Sequence, residues 1–192
     1  MVSLSERGAG EIENSSGFDC CISFSVRSDH YFCGGLPLLF KMITLEKAGE
    51  ITSNKTATLN PRFKEKVEQW RLTCERFKIL VYIYEGLRSL ERQAELYAIG
   101  RSIPGRIVTK AQPGQSFHNY GLAIDWVPLI PNEKADKFYD VGWGEVEVYS
   151  KGQELAADHN LRCLSWERPH LEYAEYKDWR QAREALQSQV VI

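Results

Sequence analysis

The chain has 192 residues, 43% of them hydrophobic, 26% charged and 11% aromatic, with five Trp and nine Tyr. This is enough for about one domain with a packed core, and it excludes a disordered, collagenous or low-complexity chain. A formal net charge of −2 leaves no basic excess with which to grip nucleic acid, so no nucleic-acid partner is expected.

The five cysteines are odd in number and Cys20 and Cys21 are adjacent, which argues against a secreted disulfide scaffold and for reduced thiols. The longest uncharged stretch near the start, His30 to Phe40, is too short to span a bilayer. It also lacks the basic region and small-residue cleavage site of a secretion signal. The expectation is a protein that is cytoplasmic as made, with no stable membrane insertion.

Residues 1–41 are rich in Ser and Gly, carry three basic against five acidic residues and show no sustained period. They read as an N-terminal extension, a poorly ordered arm ahead of a domain spanning 42–192. Cys20, Cys21, His30 and Cys33 are metal-ligand types, but their spacing fits no zinc-finger pattern. Further on, Asn60 is a good N-cap, Pro61 suits the first helical position, and Phe63, Val67, Trp70, Cys74 and Phe77 recur on one helical face. Ile79 to Tyr84 reads as a buried strand, and Ser89 caps a second helix that ends before Gly100. Gly105 and the QPGQ at 112–115 punctuate a loop-rich stretch. Leu122 to Val127 and His170 to Tyr173 read as strands, with a helix over Val146 to His159 between them. Tyr176, Trp179, Ala182, Leu186 and Val190 close the chain with an amphipathic helix. The fold class is α+β, with helices packed on a small, mainly antiparallel sheet.

Of the four histidines, His118 and His170 keep unusual company. His118 lies in SFHNYGLAID, where Gly121 permits a tight turn and the following strand puts Asp125 on the face opposite Leu122, Ile124 and Trp126. His170 lies in WERPHLEY, where Pro169 keeps Arg168 extended and restricts the segment to an edge, a bulge or a strand start. A hydrolytic zinc needs three protein ligands and an open position, and His118, Asp125 and His170 supply that set. A carboxylate outside the ligand set must still move the proton, and Glu167, three residues before His170, is the natural candidate. Taken singly, these residues also read as a loop histidine, a cap carboxylate and a half-buried strand histidine. Arg88 alone reads as a solvated strand-end charge, His159 as a helix C-terminal histidine and Tyr97 as helix core. No HExxH or GxSxG occurs, and GGLP at 34–37 has no phosphate-loop context.

SFHNYGLAID matches the SxHxxGxAxD motif, and ERPH the (D/E)xxH motif, of a family of zinc peptidases. That family includes phage L-alanyl-D-glutamate endolysins and the D-alanyl-D-alanine carboxypeptidases of vancomycin resistance. EGLRSLERQAELYAIGR resembles the same family's GYRS segment with its following Gln and LY, so the resemblance covers roughly residues 58–177 in the family's order. It implies the hedgehog/DD-peptidase-like zinc fold, with His118, Asp125 and His170 as zinc ligands, Glu167 as catalytic base and Arg88 binding and polarising the substrate. Ser116 and Gln93 are candidate substrate-binding residues, Ser116 either hydrogen-bonding substrate or orienting the loop that carries His118, and Gln93 supporting Arg88. Two departures stand out: Leu87 replaces the family's Tyr in GYRS, and LRCLSW at 161–166 replaces the Gly-Gly-Asp-Trp-like stretch of the endolysins. The implied partner is a peptidoglycan stem peptide cut by a monomer at its L-alanyl-D-glutamate bond, with release through a holin. ATLNPRF and IGRSIPGRIVTKAQPGQSFHNYG look like the endolysin branch. The alternatives are a D-alanyl-D-alanine carboxypeptidase and a non-catalytic zinc-containing wall-binding module. Glu167 favours an enzyme, since a structural site needs no free base.

Overall fold

The computed structural model describes residues 42–188. The extension at 1–41 with Cys20, Cys21, His30 and Cys33, and the last apolar position of the closing helix, Val190, lie outside the described residues. A short strand, β1 (Met42–Thr44), runs directly into helix α1 (Leu45–Ala57), where the Thr44 hydroxyl accepts from Lys47 N–H as an N-cap. Helix α2 (Pro61–Arg76) starts at the predicted Asn60 cap, whose side chain accepts from Arg62 N–H. Phe63, Val67, Trp70 and Cys74 form its buried stripe. Phe77 does not join them: the helix ends at Arg76, and Phe77 is a 54% exposed C-cap whose ring lies beneath Lys151.

Strand β2 (Leu80–Glu85) and helix α3 (Leu90–Ala98), capped by Ser89, follow as the sequence predicts. A 3-10 turn (Phe117–Tyr120) leads through Gly121 into β3 (Ala123–Pro131), which extends past the predicted end at Val127. Then come β4 (Phe138–Val141), α4 (Val146–Ala157), β5 (Leu161–Leu164), β6 (Glu167–Tyr173) and α5 (Trp179–Ser188). Tyr97 is half-buried under the Arg101 guanidinium and is not core.

Among the described residues the strands form one sheet whose ladders are all antiparallel. Strand β3 is its spine: β2 lies along one side, while β6 pairs with its first half and β4 with its second on the other. β1 and β5 complete the outer edges. On one face Leu122, Ile124 and Trp126 are fully buried. The Trp126 ring packs edge-on to Trp70 of α2 at 5.0 Å and against Tyr149 of α4 at 4.9 Å. Trp70 Nε1 donates to the Gly152 carbonyl at 2.8 Å, tying α2 to α4 behind the sheet. The other face carries Asp125 and His170 in direct register. Among the described residues, no helix is long and apolar enough to cross a membrane, and Cys74 and Cys163 are free thiols.

Candidate active site

The site forms where three strands meet at one residue. Asp125 of β3 pairs with Glu85 of β2 on one side and with His170 of β6 on the other. Both neighbouring ladders are irregular here. The β2–β3 register shifts between Ile83 and Glu85, and the β5–β6 register shifts between Cys163 and Leu164. Bulges of this kind re-aim side chains next to active sites. The second shift accommodates Pro169, which has no N–H to donate and sits inside β6 because the ladder to β5 is interrupted there. The predicted strand at His170 therefore starts earlier, at Glu167.

His118 arrives from the 3-10 turn. Ser116 caps that turn, its hydroxyl accepting from His118 N–H at 3.3 Å. Gly121 closes it with φ +64°, a left-handed conformation for which glycine is suited, and a Cβ there would lie 3.0 Å from Asn60 N. The turn is also sewn to the loop after β2: Arg88 N–H donates to the His118 carbonyl at 3.0 Å, and Asn119 Nδ2 donates to the Arg88 carbonyl at 2.9 Å. His118 Nδ1 lies 2.8 Å from the Gly86 carbonyl and donates to it, which leaves Nε2 facing the cluster.

The three side chains converge. His118 Nε2 lies 3.3 Å from His170 Nδ1 and 3.3 Å from Asp125 Oδ1, and His170 Nδ1 lies 3.2 Å from the same oxygen. One ligand atom from each residue falls within 4.8 Å of the other two, and all three residues are buried. Two imidazoles and a carboxylate are a donor set suited to zinc with a fourth position open, so the residues fit the metal the sequence implies. The charges of the cluster offset the cost of burying them. Burial alone would raise the Asp125 carboxyl, yet the facing His118 and His170 rings hold it well below the usual carboxylate range. Burial alone would lower His170, but hydrogen bonds to Asp125 and Glu172 push it up to about 10.

A cleft of about 180 Å³ opens over this cluster. Glu167, Arg88 and Ser116 all line it, as does Arg92. Burial raises the Glu167 carboxyl above its ordinary value, with the nearby His170 opposing. Arg88 Nη2 donates to Asp125 Oδ2 at 3.3 Å and Nη1 to Gln93 Oε1 at 3.1 Å. Gln93 is wholly buried and absent from the lining. Its amide nitrogen donates to the Ala111 carbonyl at 2.8 Å, so its position fits support of Arg88 and of the 99–115 loop rather than contact with substrate. His159 lies elsewhere, its Nε2 2.9 Å from Thr73 Oγ1. Glu172, which the sequence reading passes over, lies against His170; the i, i+2 spacing in WERPHLEY was the available signal, since both residues share one face of β6.

Residues 56–179 match the VanY family, described as D-alanyl-D-alanine carboxypeptidase. The chain belongs to the VanY family. Within this VanY-family chain, 68 residues are 46% identical to the peptidoglycan L-alanyl-D-glutamate endopeptidase CwlK of Bacillus subtilis (strain 168). That match spans 35% of this chain and 41% of CwlK. Among solved structures, the Serratia marcescens L-Ala D-Glu endopeptidase ChiX is similar with a TM-score of 0.45 and 19% identity, over 64% of this chain and 86% of that one. The vancomycin-resistance D,D-pentapeptidase VanY, an E175A mutant in complex with Zn(II), gives a TM-score of 0.44 and 16% identity, over 67% and 78%. The α+β architecture, with an antiparallel sheet and packed helices, is the one the VanY-family reading implies.

Proposed function

We propose that this chain is a zinc-dependent peptidase that hydrolyses the L-alanyl-D-glutamate bond of a peptidoglycan stem peptide. The observation that carries the reading is the buried His118–Asp125–His170 cluster facing a cleft that also holds Glu167 and Arg88. When bound, zinc supplies a Lewis acid and lowers the pKa of water toward about 7. The chain's own groups do the rest. Glu167 accepts the proton of the attacking water and returns it to the leaving amine, a role that suits a carboxyl raised by burial. Arg88 presents fixed N–H donors toward charge that develops on the scissile carbonyl oxygen. Ser116 orients the His118 turn at the cleft wall.

The similarity to CwlK favours the endopeptidase, whereas the description of the family favours a D-alanyl-D-alanine carboxypeptidase as the second reading. Digestion of purified wall separates them. An endopeptidase exposes new D-glutamyl amino termini, detected by mass spectrometry, while a carboxypeptidase releases free D-alanine. We further read the body from Met42 onward as the catalytic domain and the protein as a lysin-like monomer that reaches the wall through a holin, on the resemblance of its motifs to the endolysin branch.

A further inference from the structure

Glu172 is buried one side-chain row along β6 from His170, and the two ladders around it decide what it touches. On β3 its partner is Ala123, which offers only a methyl group. On β5 its partner is Arg162. Arg162 grips one carboxylate oxygen twice, with Nε 2.8 Å from Oε1 and Nη2 on the same oxygen. The other oxygen, Oε2, is left for His170 Nε2 at 3.2 Å. Arg162 is itself steadied by the Lys177 carbonyl and by the ring of Phe117, the residue before His118.

We propose that Glu172 and Arg162 are positioning residues for the metal. Arg162 fixes Glu172, and Glu172 fixes the orientation and tautomer of His170. To hold a metal, His170 must use Nδ1, the nitrogen that faces Asp125 and His118, and that nitrogen is then bare while Nε2–H donates to Glu172. A carboxylate behind a metal-binding imidazole holds the ring in place and raises its basicity as a donor. The first ligand histidine uses a neutral carbonyl for the same purpose, that of Gly86. The two imidazoles are thus supported unequally, and the one on β6 carries the charged support.

This inference rests on the metallopeptidase reading, and zinc affinity tests it separately from activity. Full-length wild type, Glu172→Ala, Glu172→Gln and Arg162→Ala are stripped of metal and titrated with zinc against a chromogenic chelator. The melting temperature of each metal-free protein is recorded alongside. Glu172→Ala is expected to weaken zinc binding by about 10–100-fold, and Glu172→Gln, which keeps an acceptor oxygen at nearly constant volume, by roughly tenfold or less. Arg162→Ala is expected to fall between wild type and Glu172→Ala. If Glu172→Ala does not fold, Glu172→Gln and Arg162→Ala carry the test. Wild type that binds one zinc while every folded variant matches its affinity overturns the inference alone. Wild type that takes up no zinc overturns the metallopeptidase reading and the inference with it.

Discussion

Arg88 and Asp125 are joined at 3.3 Å through Asp125 Oδ2, while the other oxygen of the same carboxylate, Oδ1, faces both histidines. One carboxylate thus divides its two oxygens between the histidine pair and the cleft-lining guanidinium. The proposed function gives Arg88 two tasks, aligning Asp125 and presenting donors to substrate. Arg88→Ala is expected to reduce kcat by about 10²–10³-fold and to weaken zinc by up to about tenfold. Turnover and chelator competition on one preparation check both. Unchanged zinc affinity would confine Arg88 to the substrate.

Glu167 should move protons without holding metal. Glu167→Gln removes the basic site at nearly constant volume, so zinc content should stay at wild-type level while turnover falls by roughly 10² or more. The pH profile has a sign to check. A base must be ionised to act, so protonation of this carboxyl, which burial favours, should give kcat/KM an acid limb. Activity should drop as pH falls through the limb. Loss of zinc from the Gln variant would instead make Glu167 a ligand.

Metal uptake should release a proton. In the metal-free protein His170 is pushed up to about 10, so near neutral pH it is protonated and must lose that proton to donate through Nδ1. Asp125 is already ionised there and contributes none. Zinc affinity should therefore rise about tenfold per pH unit across the neutral range, and calorimetry in buffers of different ionisation enthalpy should count about one proton released. The stability of the metal-free fold should follow the same linkage. Its His170 contribution is fully present below 6.5 and is lost as pH rises toward about 10. The Asp125 contribution is present above 3.8 and is lost as pH falls below it.

What the sequence disclosed follows from which residues carry strong local signals. Asn60-Pro61 and Ser89 announce helix starts because capping is a local interaction, and both caps are formed. The three proposed metal ligands were legible because zinc chemistry demands few residue types. Helix α1 has no such signal, because its buried positions are Ala48, Thr52 and Thr56, small or polar residues without a large apolar stripe. Their burial is a tertiary effect: Thr52 Oγ1 accepts from Ile83 N–H at 3.1 Å, next to the irregular β2 ladder. β1, β4 and β5 are three or four residues each, too short for a period to register. Glu172 has only the i, i+2 spacing to His170 as a local signal, because the Arg162 contact that fixes it lies across a strand pair.

Two glycines give a last test, of the packing that holds β3 from behind. Gly152 sits in α4 with its carbonyl accepting from Trp70 Nε1, and a Cβ built there would lie 2.9 Å from Trp126 Cζ2 and closer still to Cη2. Trp126 cannot swing aside, because it is fully buried between Trp70 and Tyr149. In an exposed helix interior, Gly→Ala gains roughly 0.5–1 kcal/mol from backbone entropy. At Gly152 that gain should be outweighed by overpacking of about 1–3 kcal/mol. Gly49 of α1 is the control, exposed and with nothing within 4 Å of an added Cβ. Thermal melts should therefore move in opposite directions, up for Gly49→Ala and down for Gly152→Ala, by a few degrees each at about 2–4 °C per kcal/mol. Because Trp126 directly follows Asp125 on β3, the Gly152 variant should also weaken zinc binding, whereas Gly49→Ala should leave it unchanged. A Gly152→Ala melt at or above wild type would show that α4 can draw back from the sheet, and that contact with Trp126 is not what requires glycine at that position.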